Sequence, residues 1–90
     1  MSKKKKRLQK MRQNKRNVSY GDYSSVLEDY GYVVQSGKGS HRKAICNIDD
    51  RTWTIIFVEP HGNKKSMNHK AVQRLLDHIE EIEGIANEDE

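Results

Sequence analysis

Gly37-Lys38-Gly39-Ser40-His41 carries the residues best suited to chemistry in this chain. His41 is of the one side-chain type whose ordinary pKa, about 6.5, lets it take or give a proton near neutral pH. Glycines on both sides of Lys38 allow positive φ and a close approach of backbone to a ligand. Turn N–H groups, with the Lys38 and Arg42 side chains beside them, can hold a phosphate. The stretch therefore predicts a proton-transfer group next to a phosphate cradle. Its plainer reading is a β-turn ending in a surface histidine, because glycine-rich turns are common. Three histidines lie elsewhere. His61 falls in a loop, His69 in the first turn of a helix, and His78 at the boundary of a helical apolar stripe. A His41/His61/His69 metal site has no supporting ligand spacing, so neither metal nor cofactor is expected.

These residues need a frame. Ser19-Tyr20-Gly21-Asp22 fits a capping box, with Val18 placed to staple against Tyr23. Tyr23, Val26, Leu27 and Tyr30 follow at helical spacing, and Gly31 suits the C′ position, so a helix is predicted over Tyr20–Tyr30. Its tyrosines are expected in the core and at its rim rather than as a base-stacking platform. Tyr32–Gln35 is a short β-prone run. His41–Ile48 reads as a second strand, with Ala44, Cys46 and Ile48 on one face and His41, Lys43 and Ile45 on the other. Asp49-Asp50-Arg51 is a hairpin turn. Thr52–Val58 is the strongest strand signal. Trp53, Ile55 and Phe57 share one face and Ile56 and Val58 the other, which predicts that both faces are partly covered. Pro60 ends it. Residues 59–67 form a loop, and Ser66 or Asn68 caps a final helix over Asn68–Glu83 with the stripe Val72, Leu75, Leu76, Ile79 and Ile82. Gly84 is expected to close it. Upstream, Leu8 and Met11 at helical spacing allow a short helix within residues 3–17, on a thin apolar face.

The fold class that follows is α+β, in the order α-β-β-β-α: a three-stranded antiparallel meander with two helices on one face. Three regions are expected: a basic arm over 1–17, partly disordered or a short helix; a domain over 18–84; and a loose acidic tail over 85–90.

Charge is segregated along the 90 residues far more than the net +4 suggests. Lys3, Lys4, Lys5, Lys6, Arg7, Lys10, Arg12, Lys15 and Arg16 open the chain with no acid among them. Glu80, Glu81, Glu83, Glu88, Asp89 and Glu90 close it with no base. A basic arm of this kind is the footprint of polyanion binding, since each phosphate contact releases counterions. The alternative is a solvated, frayed terminus. The longest apolar run, Ile55–Val58, is strand-sized, so no membrane partner is expected. The basic start lacks a following apolar region, unlike a secretory signal. A lone cysteine, Cys46, fits a reducing cytoplasm.

With Gly39-Ser40-His41 opening the second strand, this order resembles the HicA family of bacterial toxins, also called YcfA-like. The likeness runs from Asn17-Val18-Ser19-Tyr20 through Leu27 and Gly31-Tyr32. It continues through the Gly-Ser-His triplet and the Pro60-His61-Gly62-Asn63-Lys64 loop to Val72-Gln73-Arg74-Leu75-Leu76. The basic leader is similar to that of one branch of the family. Two positions depart from the family's usual pattern. Ala44 stands where an aromatic is common, and Arg42 where a second histidine is frequent.

The resemblance implies a double-stranded-RNA-binding-domain-like fold. It also implies a cytoplasmic, prokaryotic mRNA interferase of a toxin–antitoxin stress-response system, neutralised by a HicB-type antitoxin that covers the histidine face. The chemistry would be metal-independent endoribonuclease cleavage. The ribose 2′-OH attacks its own phosphate, His41 moves a proton as base or acid, and Lys38, Gly39, Ser40, Arg42, Lys64 and Lys65 hold the RNA. His61 is a candidate second proton-transfer group by loop position alone. The main rival is a non-catalytic double-stranded-RNA-binding module, in which Lys64-Lys65-Ser66 meets groove phosphates and His41 is incidental. A basic ribosome-associated protein is a third reading.

Overall fold

The structure, a computed structural model, describes residues 3–60 and 66–88. The elements run α1 Lys3–Gln13, α2 Tyr20–Asp29, β1 Val33–Ser36, β2 His41–Ile48, β3 Arg51–Val58 and α3 His69–Glu88. The class is α+β, with one antiparallel sheet in the order β1-β2-β3.

α2 begins where its sequence dictates. The Ser19 side chain accepts the Asp22 N–H at 3.1 Å, as an N-cap residue should. Its end is a Schellman turn. Gly31 takes φ +82 and donates to the Glu28 carbonyl, while the Tyr32 N–H reaches the Leu27 carbonyl at 2.9 Å. β2 and β3 are joined by a two-residue turn in which Asp49 has φ +52.

Alternation along the strands assigns the two sheet faces. Ala44, Cys46, Trp53, Ile55 and Phe57 are buried with Tyr23, Val26 and Leu27 of α2 and Val72, Leu75, Leu76, Ile79 and Ile82 of α3 in one cluster. The Tyr23 and Phe57 rings meet edge to face at 5.2 Å. Cys46 is held in this layer, its thiol donating to the Tyr30 carbonyl, and burial raises its pKa.

The opposite face differs from the expectation that both are partly covered. Val33 is 64% exposed and Ile56 61%, and Val58 stands open beside them. Among the described residues no helix covers them, because α2 and α3 both pack on the other face. β1 spans Val33–Ser36, one residue later than its pattern suggests, since Tyr32 is drawn into the core ahead of it.

α1 forms within the range its sequence allowed, and α3 runs further than expected. α1 is a full helix over Lys3–Gln13, with Leu8 and Met11 in the same buried cluster as the sheet. Its thin stripe is enough because α2 lies against it: Arg7 pairs with Asp29 at 3.1 Å and Lys10 with Asp22 at 3.7 Å. α3 passes through Gly84 without ending, and Gly84 does not adopt positive φ. An interior glycine costs a helix about 1 kcal/mol. Burial of Ile82 is worth about 1.5–3 kcal/mol, which outweighs that cost, and Ile85 packs partly buried against the core. Among the described residues, no helix is long and apolar enough to cross a membrane.

Candidate active site

His41 is the first residue of β2 and opposes Val58 of β3. Strand parity puts its side chain on the uncovered face, where it is exposed. The turn that delivers it is closed by two backbone bonds. Gly37 N–H donates to the His41 carbonyl at 2.8 Å, and His41 N–H to the Lys38 carbonyl at 3.1 Å. The two glycines serve different needs. Gly39 has φ +60, a conformation L side chains rarely adopt. At Gly37 a Cβ would sit 3.2 Å from the His41 carbonyl oxygen, a tight approach that a side chain could take only if the turn gave by a few tenths of an ångström.

Lys38 is exposed at the tip of this turn. Ser40 is half-buried, and its carbonyl accepts the Glu59 N–H at 2.9 Å, which carries the β2–β3 ladder one step past His41. No hydrogen bond to the His41 imidazole occurs among the described residues.

The Arg42 side chain, expected beside a phosphate, is bonded within the protein. Its side chain emerges on the side opposite His41. One guanidinium nitrogen donates to the Gly39 and His41 carbonyls, both at 3.0 Å, and another to a Glu59 carboxylate oxygen at 2.8 Å. The guanidinium therefore ties the turn to the end of β3. Lys43 is the residue that joins His41 instead. Two positions along β2, it shares the open face and is exposed, opposite Gln35 on one side and Ile56 on the other. Period-two alternation already placed Lys43 on the face of His41.

Lys64 and Lys65, with His61, lie outside the described residues. His69 is exposed as the first residue of α3. His78 is half-buried on α3, and its Nδ1 has no hydrogen-bond partner among the described residues. Burial holds its imidazole below the ordinary histidine value, with Arg74 acting the same way and Glu81 and Asp77 opposing.

The basic leader is less available than its composition suggests. Arg7 and Lys10 are paired with α2, Arg12 reaches Glu83 at 3.5 Å, and Lys15 donates to Gln73 at 2.7 Å. Lys4 sits 4.2 Å from the centre of the Tyr30 ring. These contacts hold α1 on the helices, away from the sheet face that carries His41.

No family model, curated protein or solved structure matches the chain. The chemistry must be argued from the arrangement itself. An exposed imidazole that shares a strand face with one lysine and follows a glycine turn with a second can move one proton beside a bound phosphate.

Proposed function

We propose that the chain is an RNA-cleaving toxin of the HicA type, a metal-independent endoribonuclease neutralised by a HicB-type antitoxin. The observation that supports this most is the setting of His41. It opens β2 on the exposed sheet face, behind a turn whose Gly39 has positive φ, with Lys38 exposed in that turn and Lys43 on the same face of β2. The α2-β1-β2-β3-α3 order, with α2 and α3 on one face, supports a double-stranded-RNA-binding-domain-like arrangement.

In this reaction the ribose 2′-OH attacks the adjacent phosphorus and the 5′-oxygen of the next nucleotide leaves. His41 takes the 2′-OH proton or supplies one to the leaving oxygen. Lys38 and Lys43 offset the charge on the phosphorane-like transition state. Lys64 and Lys65 enter on sequence alone. The need for a 2′-OH makes the substrate RNA, with mRNA the expected target. One general acid–base group contributes typically about 10²–10⁴-fold, so the enzyme is a modest one. The antitoxin would cover the apolar residues around His41: Val33, Ile45, Ile56 and Val58.

A binding-only role, as a double-stranded-RNA-binding module, is favoured by one observation: no hydrogen bond among the described residues orients the imidazole. Induced expression of the wild type and of His41→Ala separates the two. Cleavage predicts growth arrest and broken transcripts for the wild type alone. Equal effects from both chains would leave the binding module.

A further inference from the structure

We propose that two copies of this chain pair edge to edge through β3, forming a continuous six-stranded sheet across a twofold axis. The inference stands on the sheet and α3 and does not depend on the chemistry of His41.

β3 is an edge strand eight residues long. The Glu59 N–H bonded to the Ser40 carbonyl fixes its parity. Odd-numbered residues turn their N–H and C=O groups towards β2, so Thr52, Thr54, Ile56 and Val58 turn theirs outward. Edge strands are normally blunted by lysine, proline, bulges or shortness. β1, the other edge, is four residues long. β3 has none of these guards. Its outward-directed residues are two threonines, an isoleucine and a valine.

α3 says what pairs there. A groove separates Ile56–Val58 from Lys70, Ala71 and Arg74. Further along, Trp53 Nε1 donates to Glu81 at 2.8 Å. The helix therefore runs antiparallel to β3, with cations beside the strand's C-terminal end and acids beside its N-terminal end. Lys70, Arg74, Asp77 and Glu81 share one surface, and Lys70 and Arg74 form no ion pair among the described residues. The rise from residue 70 to 81 is about 16 Å, and the strand beside it covers about 15 Å. The midpoint of the charge stripe thus falls level with Ile55.

A twofold axis at Ile55 sets Thr54 against the partner's Ile56 and Thr52 against the partner's Val58, each with its outward backbone groups matched. The same axis sets Arg74 against the partner's Asp77 and Lys70 against the partner's Glu81. An acidic peptide added to this edge would be matched by the cations and repelled by the acids, and a basic one the reverse. A second copy satisfies both halves.

Light scattering after gel filtration, over a concentration series, tests the proposal. The wild type is expected to approach twice the 10.5 kDa chain mass. Thr54→Pro removes an N–H that the β2 ladder does not use, so the monomer should keep its far-UV spectrum while the dimer is lost. Arg74→Asp should also dissociate it, and Arg74→Asp with Asp77→Arg should restore it. Val33→Ser, on the open face away from β3, should leave the mass unchanged. A wild type monomeric throughout would overturn the proposal. So would a dimer that survives Thr54→Pro, a failed charge swap, or dissociation by Val33→Ser.

Discussion

Gly37 and His41 are locked across the turn: the Gly37 N–H donates to the His41 carbonyl at 2.8 Å, and a Cβ on residue 37 would come within 3.2 Å of that same oxygen. Backbone sterics therefore set where the imidazole starts. Gly37→Ala should displace the strand end and lower RNA cleavage more than it lowers stability. Gly39→Ala keeps open space around its Cβ but forces alanine into positive φ, at about 1 kcal/mol. Denaturant unfolding and cleavage rates on the same preparations separate the two effects.

Arg42 is bonded to the turn and to Glu59, and its variants are predicted to change stability rather than phosphate contact. Removing its bonds to the Gly39 and His41 carbonyls and to Glu59, as in Arg42→Gln, should cost about 1 kcal/mol of stability, discounted for partial exposure. Cleavage should fall with it. The salt dependence of RNA affinity should not change, because no phosphate contact is lost. A shallower salt slope would instead put the guanidinium on the backbone of the RNA.

Lys38 and Lys43 are the contrasting pair. Neutralising either, as Lys38→Gln or Lys43→Gln, should reduce the slope of log affinity against log salt by about 0.7 on single-stranded RNA. Lys10→Gln and Arg12→Gln should leave it nearly unchanged, since those cations face Asp22 and Glu83. Titrations at several salt concentrations read all four variants.

His78 gives a pH dependence of stability. Burial lowers its folded-state pKa below the unfolded value. The unfolded chain therefore binds the proton first, and the contribution present above about pH 6.5 is lost as pH falls through the folded pKa. Melting temperature should drop on acidification from pH 7.5 towards 5, and His78→Gln should weaken that drop. An identical profile in both chains would assign the loss to other groups.

How much of this was legible in the sequence follows from what each segment depends on. α2 announces itself through Ser19, the Tyr23/Val26/Leu27/Tyr30 face and Gly31, all local signals. β2 and β3 alternate cleanly, so the faces carrying His41 and Ile55 could be assigned in advance. α1 could not be weighed, because Leu8 and Met11 are too few to hold a helix until α2 supplies the partner surface. Gly84 looked like a stop only because the burial of Ile82 and Ile85 on either side of it is a tertiary fact. The role of Arg42 was hidden for a similar reason. Charge and position near a glycine turn suggest phosphate, and only the pairing with β3 brings Glu59 within 2.8 Å.

The most direct test is the cleavage rate of a defined RNA by purified wild type and by His41→Ala, with both shown to be folded. A loss of about 10²–10⁴-fold in the variant is predicted, with wild-type products ending in 2′,3′-cyclic phosphate. Equal rates for the two chains, or transcripts left intact by the wild type, would contradict it.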